Sequence, residues 1–192
     1  MTDLVVGDDG RARCFWGAST PDYLVYHDTE WGKPLRGDDA LFERLTLEAF
    51  QSGLSWITIL RKRQAFRAAF DDFSIAKVAA YSEADAARLM ADAGIVRNRM
   101  KVDAALHNAK VAADLPDGLS ALLWSFAPSG GRPRPATRAD VPAITPESAA
   151  LAKSLKKQGF KFVGPTTAYA LMQATGMVDD HLIGCWVPPV TA

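Results

Sequence analysis

Cysteine and histidine residues at the two ends of the chain place the strongest constraint on its fold. The sequence holds two cysteines and three histidines, and four of these five residues form the pairs Cys14-x12-His27 and His181-x3-Cys185. Two thiolates and two imidazoles make a complete tetrahedral ligand set for Zn²⁺. A zinc ion on these side chains would join the first and last segments of one domain. It would be structural, because no position is left for water.

The same residues also fit an interpretation without a metal. Cys14 and Cys185 could form a disulfide, or pack as small buried hydrophobes beside two unrelated histidines. Spacing alone does not separate these alternatives from a metal site. The third histidine, His107, has no cysteine near it in the sequence, and we predict that it is an ordinary helical residue.

Composition indicates a globular protein with one core. The chain has 192 residues, of which 48% are hydrophobic and 23% charged, and this length favours one domain over two. No apolar run approaches the length of a membrane span, and the polar start lacks the apolar core of a signal peptide. Two cysteines do not indicate a secreted disulfide scaffold. We therefore expect a cytoplasmic monomer without a membrane partner.

The charges cancel over the whole chain but are unevenly distributed. Lys and Arg number 22, and so do Asp and Glu, so the net charge of zero argues against polyanion binding by bulk charge. Basic residues cluster at 61–67, 97–101 and 153–161. Such segregation can give one face a positive potential, although a single basic cluster more commonly solvates a helix face.

Apolar spacing predicts an all-α protein. We predict helices over 39–52, 83–93, 99–113 and 118–126 from helical periodicity, an aspartate cap at 38 or 39, and a capping-box pattern beginning at Ser82. The segment 127–144 is rich in proline and glycine, and we expect it to be a connecting loop. No convincing strand alternation is present in the sequence.

The last third of the chain has a helix-hairpin-helix pattern at about 146–176. Thr145-Pro146 is a helix start with proline at the first position, and the apolar turn Gly-Phe-Lys-Phe-Val-Gly leads into a second helix that opens with Pro165. Backbone N–H groups of such a turn and helix can hold DNA phosphates without reading sequence. The alternative is an ordinary αα-hairpin, but the amino-acid sequence of the turn favours DNA binding. The predicted contacts are Lys161, Gly164, Thr166 and Thr167.

Glu48 lies where the pattern of the 39–52 helix predicts an inward-facing residue. Such a carboxylate is either satisfied by a backbone or arginine partner or belongs to a pocket, and the pattern leaves both open. Aromatic residues are dense nearby in the sequence. A pocket for a planar, electron-poor base needs this combination, since rings stack on the base and the carboxylate accepts a hydrogen bond from its edge. The aromatic residues concerned are Trp16, Tyr23, Tyr26, Trp31 and Trp56.

Several motifs strongly resemble the DNA-3-methyladenine glycosylase I family. They include Arg13-Cys14-Phe15-Trp16, Tyr26-His27-Asp28-Thr29-Glu30-Trp31-Gly32, Leu47-Glu48, Gln51-Ser52-Gly53-Leu54-Ser55-Trp56 and Asp180-His181-Leu182-Ile183-Gly184-Cys185. The resemblance is colinear from about residue 11 to residue 188. It implies a helix-hairpin-helix DNA glycosylase fold over 11–192, with residues 1–10 outside the match and expected to be disordered.

The resemblance also implies the site residues. One structural Zn²⁺ per chain would tie the termini together, with the ligands Cys14, His27, His181 and Cys185. The base pocket would comprise Trp16, Tyr23, Tyr26, Glu48 and Trp56. Asp179 and Asp180 are expected to orient His181 rather than to act in catalysis.

The implied activity is hydrolysis of the N-glycosidic bond of 3-methyladenine in alkylated double-stranded DNA. N3-methylation makes the base cationic and therefore a good leaving group. Once the nucleotide is flipped out of the duplex, bond cleavage needs little chemical assistance. Glu48 is the expected catalytic residue. No lysine stands where a Schiff-base lyase of this superfamily would need one, so we expect a monofunctional glycosylase. One alternative is a protein that holds a structural zinc ion and binds damaged DNA without catalysis. The other is a metallohydrolase, but four protein ligands would leave no position on the zinc for water.

Overall fold

The computed structural model describes residues 3–130 and 132–189. The described part is mostly helical, with a short β-hairpin, β1 (Leu4–Val6) and β2 (Ala12–Cys14). The helices are α1 (Pro21–Thr29), α2 (Asp38–Gln51), α3 (Trp56–Ala69), α4 (Ile75–Ala79), α5 (Glu83–Ala91), α6 (Arg99–Ala113), α7 (Gly118–Trp124), α8 (Pro146–Gln158) and α9 (Pro165–Ala174). None of the helices described is both long and apolar enough to span a bilayer.

The helices predicted from apolar spacing are confirmed, with small shifts at their ends. Helix α5 ends at Ala91, earlier than predicted, because Asp92 leaves the helical region and its carboxylate accepts a hydrogen bond from the backbone of Gly94 at 2.7 Å. Helices α1, α3 and α4 were not predicted, although α1 begins with the same Thr-Pro signal as α8. The side chain of Thr20 accepts a hydrogen bond from the N–H of Tyr23 and so caps α1.

The predicted helical fold is confirmed, with the addition of a short β-hairpin near the start of the chain, where the sequence had predicted disorder over residues 1–10. Leu4 pairs with Cys14 and Val6 with Ala12 in an antiparallel hairpin. Strands of three residues are too short to show an alternating pattern. Beside them Arg13 is only 1% exposed, and its guanidinium donates hydrogen bonds to Asp9 and Asp28. Met1 and Thr2 lie outside the described residues.

Helix α2 lies at the centre of the core. Its side chains Leu41, Phe42, Leu45, Leu47 and Phe50 are at most 1% exposed, and it packs against α3, α6, α7 and α9. Because α2 is enclosed on several sides, the polar residues on it face other parts of the protein rather than solvent. This position explains how charged groups come to be buried on α2.

The turn between α8 and α9 is held from outside by α6. Helix α8 ends at Gly159, whose φ of 102° is in the left-handed region that glycine favours. The carbonyl of Gly159 lies 2.9 Å from Nε2 of His107, which is on α6 as predicted. The side-chain amide of Asn108 accepts from the N–H of Lys161 at 2.8 Å and donates to its carbonyl at 3.0 Å. These contacts fix the backbone of the predicted DNA-binding turn.

Replacement of Asn108 with alanine should lower the free energy of unfolding by about 2 kcal/mol. Asn108 is 3% exposed, so the change leaves two backbone groups of Lys161 without partners, and each such loss costs about 1–3 kcal/mol when the groups are buried. Urea denaturation measures the effect. Lys110→Ala, at an exposed position of the same helix, is the control. Equal stability of the Asn108 variant and the control would contradict this account of the turn.

Candidate active site and metal centre

A cleft of about 400 Å³ opens between the N-terminal segment, α2 and α9. All five side chains predicted for a base pocket line it, together with residues from α9 and from the C-terminal segment. The lining includes Trp16, Tyr23, Tyr26, Trp31, Glu48, Trp56, Gln173, Asp180 and Leu182. The fold therefore brings residues that are far apart in the sequence around one space large enough for a planar base.

The aromatic wall of the cleft is built from edge-to-face contacts. The ring of Trp16 lies 5.6 Å from that of Tyr23 and 4.9 Å from that of Trp31, measured between centroids, and such arrangements are favourable. The hydroxyl of Tyr23 accepts a hydrogen bond from the N–H of Ile57 at 3.0 Å, which satisfies one of the free donors at the start of α3. The ring centroid of Trp56, the first residue of α3, lies 5.6 Å from that of Tyr26.

Glu48 brings a carboxylate to this wall. It is 5% exposed, and burial raises its pKa to about 7, against the opposing charge of Arg44. None of the described residues donates a hydrogen bond to its carboxylate. A buried carboxylate without an internal partner, beside a cleft, is available to a ligand that offers hydrogen-bond donors or positive charge.

Two basic residues that the sequence analysis did not assign to the site support the wall. Arg44, one turn before Glu48 on α2, donates a hydrogen bond to the hydroxyl of Tyr26 at 2.9 Å. Lys101 of α6 donates to the carbonyls of Phe50 at 2.8 Å and Ser52 at 2.6 Å, which α2 leaves free at its C-terminal end. Arg44 could have been identified from the sequence, because the helical periodicity of α2 places it on the same inward face as Glu48.

Three of the four predicted zinc ligands form a buried cluster behind the aromatic wall. The ligand atoms of Cys14, His27 and Cys185 all lie within 4.8 Å of one another. The two cysteines are free thiols, so the disulfide alternative does not hold. Nε2 of His27 lies 3.5 Å from the sulfur of Cys185. Hydrogen bonds from Cys14 and His27 lower the pKa of Cys185, while contact with Cys185 and burial raise the pKa of Cys14.

The fourth predicted ligand, His181, lies beside this cluster but outside that group of three. Its ring centroid is 5.0 Å from that of His27, and its Nε2 is buried without a hydrogen-bond partner among the described residues. Buried polar atoms in native proteins are almost always satisfied. An orphaned imidazole nitrogen beside His27 is a donor that Zn²⁺ takes together with two thiols and a second imidazole, so these residues could hold the ion.

Carboxylates and glycines around the cluster set the orientation of both imidazoles. Nδ1 of His27 lies 2.8 Å from Asp28, and Nδ1 of His181 lies 2.9 Å from Asp179. This leaves Nε2 of each ring for a metal, as in many zinc sites. A Cβ added at Gly17 would come within 2.5 Å of the His27 ring, and one at Gly32 within 2.7 Å of the His181 ring. Neither glycine was singled out from the sequence.

The two aspartates before His181 have different surroundings. Asp179 contacts His181, as predicted, and pairs with Arg134 at 2.8 Å. The carboxylate of Asp180 is directed to groups other than the His181 ring, which differs from the expectation for this residue. Its buried carboxylate accepts hydrogen bonds from Tyr169 at 2.5 Å and Gln173 at 2.8 Å and also pairs with Arg132. It thereby ties the loop before α8 to the α9 side of the cleft.

The residues predicted to contact DNA lie away from the cluster, at the turn and the first residues of α9. The side chains of Lys161 and Thr166 are exposed and that of Thr167 is partly exposed, and Gly164 is the N-cap residue of α9. A Cβ at Gly164 would meet nothing within 4 Å. Farther along α9, Ala170 and Gln173 line the cleft, so one helix connects the turn with the candidate active site.

Comparisons with known proteins agree with this arrangement. The methyladenine glycosylase family matches residues 16–188. DNA-3-methyladenine glycosylase 1 of Escherichia coli (strain K12) is 45% identical, over 92% of this chain and 97% of its own length. The corresponding glycosylase of Haemophilus influenzae is 43% identical, over 90% and 96%.

Solved structures show the same similarity. A crystal structure of 3-methyladenine DNA glycosylase I superposes with a TM-score of 0.88 at 43% identity, covering 92% of this chain and all of the other. The glycosylase from Staphylococcus aureus, solved to explain recognition of 3-methyladenine, also has a TM-score of 0.88, at 36% identity over 94% of this chain and 98% of that one. The chain therefore belongs to the DNA-3-methyladenine glycosylase I family.

Proposed function

We propose that this protein, a DNA-3-methyladenine glycosylase, hydrolyses the N-glycosidic bond of 3-methyladenine in double-stranded DNA at the aromatic cleft. The observation that carries this proposal is Glu48, a buried carboxylate without an internal hydrogen-bond partner on the wall of an aromatic cleft. A cationic methylated base supplies the hydrogen-bond donors that this carboxylate lacks and adds positive charge to that of Arg44. A related glycosylase has been solved in complex with 3-methyladenine.

Binding and bond cleavage follow from the chemistry of the substrate. Methylation at N3 leaves the base cationic in the nucleotide, so the sugar–base bond is already weakened. Flipping the nucleotide out of the stack costs a few kcal/mol, which stacking on Trp56 and Trp16 and hydrogen bonding to Glu48 and Tyr26 would offset. As the bond breaks, its electron pair goes to the base, which leaves neutral, and the ionised carboxylate of Glu48 stabilises the positive charge that develops on the sugar.

Water is the proposed nucleophile, and the reaction ends with a free base and an abasic site. Among the described residues that line the cleft there is no lysine, so no amine is in place to form a Schiff base with the sugar. This supports a monofunctional glycosylase without lyase activity. The release of intact 3-methyladenine, with no strand cleavage, is the corresponding observation in solution.

One Zn²⁺ ion on Cys14, His27, His181 and Cys185 completes the proposal. Bound to these four side chains, the ion would cross-link the two ends of the chain, and it would take no part in hydrolysis because no ligand position would be left for water. Folding free energy and metal binding are coupled in such sites. The metallohydrolase alternative is opposed by this ligand set.

Duplex DNA would be held at the turn between α8 and α9. Backbone N–H groups at the start of α9, the side chains of Thr166 and Thr167, and the charge of Lys161 offer phosphate contacts that are independent of sequence. The cleft and the ligand cluster come from one chain, which supports a monomer. The free thiols favour a reducing compartment, the cytoplasm.

Replacing Glu48 with glutamine should reduce release of 3-methyladenine from methylated duplex DNA at least about 100-fold. Glutamine keeps the size of the side chain and removes the negative charge that stabilises the transition state. Free base released per time is measured by chromatography. Glu83→Gln, at an exposed site on α5, is the matched control. Equal release by the folded Glu48 variant and the control would remove Glu48 from the mechanism.

A folded, zinc-loaded wild-type protein that binds methylated DNA but releases no base would instead support the damage-binding alternative. In that case the Glu48 variant should bind such DNA as tightly as the wild type, because phosphate contacts do not need a carboxylate in the cleft.

Activity should rise with pH through about 7. Glu48 has a pKa of about 7 in the free protein, and only its ionised form can stabilise positive charge. Below this pH kcat/KM should fall about tenfold per unit, since kcat/KM reports the ionisation of the free enzyme. The Glu48→Gln variant should lack this dependence. A profile that is flat for the wild type between about pH 5 and 9 would contradict the assigned ionisation.

Mass spectrometry of the native protein should find one zinc per chain, and His181→Ala should weaken zinc binding more than about tenfold. Mutating a group that orients a metal ligand weakens metal binding about 10–100-fold, and loss of the ligand itself should weaken it at least as much. Competition with a chromogenic chelator gives the affinity. His107→Ala, which removes the histidine on α6 far from the cluster in sequence, is the control. Unchanged affinity in the His181 variant would leave a three-ligand site.

A further inference from the structure

We propose that Arg44 is a positioning residue that commits the hydroxyl hydrogen of Tyr26 to the ligand in the cleft. The inference rests on the proposed function of the cleft and adds a residue to it. Arg44 is 7% exposed and Tyr26 is 3% exposed, and Nη1 of Arg44 lies 2.9 Å from the phenolic oxygen. A buried arginine therefore lies behind one of the two polar groups that face the substrate.

The direction of this hydrogen bond is fixed by chemistry. A guanidinium has N–H donors only and no acceptor, so the Tyr26 oxygen must accept. Burial raises the pKa of Tyr26, so the hydroxyl keeps its hydrogen at neutral pH. The described residues provide no other hydrogen-bond partner for this hydroxyl. Its hydrogen is therefore left for a group in the cleft, and Tyr26 enters substrate binding as a donor.

Arg44 is itself held in place by its neighbours. Its guanidinium carbon lies 5.3 Å from the ring centroid of Tyr26 and 5.1 Å from that of Trp56, within the range of cation–π attraction. Nη2 of Arg44 lies 3.8 Å from Oε2 of Glu30. Glu30 is fixed in turn by two hydrogen bonds from Arg63, at 2.5 and 2.7 Å. The donor that orients Tyr26 thus has little freedom to move.

The same arginine favours the ionised form of Glu48. Arg44 and Glu48 are one helical turn apart on α2, and the charge of Arg44 opposes the rise in the pKa of Glu48 that burial causes. The other ionisable groups around this site are Tyr26 on α1, Glu30 at the end of α1 and Arg63 on α3, together with the cleft residues Cys14, Tyr23, Arg138 and Asp180. Arg44 therefore acts on both polar groups at once, with Tyr26 as a donor and Glu48 as an acceptor.

This donor–acceptor pair matches one edge of an adenine. The exocyclic amine of 3-methyladenine donates to Glu48, and a ring nitrogen beside it accepts from Tyr26. A guanine carries a carbonyl in place of the amine, and its oxygen would face an ionised carboxylate. A site that leaves buried polar groups unpaired rejects the wrong ligand strongly. Arg44 would thereby contribute to selectivity for adenine.

The test is a double-mutant cycle between Arg44→Met and Tyr26→Phe at about pH 9, where loss of Arg44 leaves Glu48 ionised. Methionine keeps much of the apolar stem and removes both donor and charge. Arg44→Met should weaken binding of free 3-methyladenine, followed by tryptophan fluorescence, about tenfold, the worth of one hydrogen bond. In the Tyr26→Phe background it should have no further effect.

The pH profile gives a second readout that a merely structural role would not move. In Arg44→Met the rise of kcat/KM for base release should occur at a higher pH than in the wild type, because Glu48 loses a neighbouring positive charge. Arg44→Gln offers an acceptor to Tyr26, so it should weaken base binding as well even though it retains a polar group. Arg67→Met, which removes the surface partner of Glu43, should leave affinity and profile unchanged.

The outcomes separate this inference from the proposed function. Base release by the wild type together with unchanged affinity and pH profile in both Arg44 variants would overturn the role of Arg44 and leave the glycosylase intact. Equal losses from Arg44→Met in the wild-type background and in the Tyr26→Phe background would also overturn it, since Arg44 would then not act through the hydroxyl. Absence of base release and of 3-methyladenine binding by the wild type would overturn both proposals.

Discussion

The rest of the structure depends on the buried contact between the two ends of the chain. Cys14 and His27 meet Cys185 in one cluster, and the N–H of Leu182 donates to the sulfur of Cys14 at 3.4 Å. The histidines of this contact also support the cleft. The ring of Trp16 packs on His27 at 5.1 Å and that of Trp31 on His181 at 4.7 Å. Loosening the ends would therefore disturb the aromatic wall as well as the fold.

The second organising element is α2, which carries charged groups into the core of the protein. Burying an unpaired charge is energetically unfavourable. The two buried charged residues Arg44 and Glu48 differ in the partners that the structure gives them. Arg44 is satisfied by Tyr26 and by the nearby Glu30, whereas no described residue donates a hydrogen bond to Glu48. This difference assigns the two residues different roles. The satisfied arginine holds the wall, and the carboxylate without a hydrogen-bond donor is left for the ligand.

The sequence predicted most of the longer helices, although not α3, and five side chains of the cleft, because these predictions rest on local spacing and on motifs. Glu48 lies inward as the periodicity of α2 required. Short strands gave no signal, so the hairpin formed by Leu4–Val6 and Ala12–Cys14 was not anticipated. The surroundings of Asp180 could not be inferred either, because Arg132 and Tyr169 reach it from distant parts of the chain. The positions of neighbours in space, rather than in sequence, decide which buried charge is satisfied.

The carbon-13 NMR signal of the Glu48 carboxyl group tests the central claim most directly. Followed against pH, it should titrate near 7 in the free protein, and saturation with 3-methyladenine should shift both the signal and its midpoint, because the base offers donors to the carboxylate. A signal that titrates at the ordinary value of 4.5 and does not respond to the base would contradict the account.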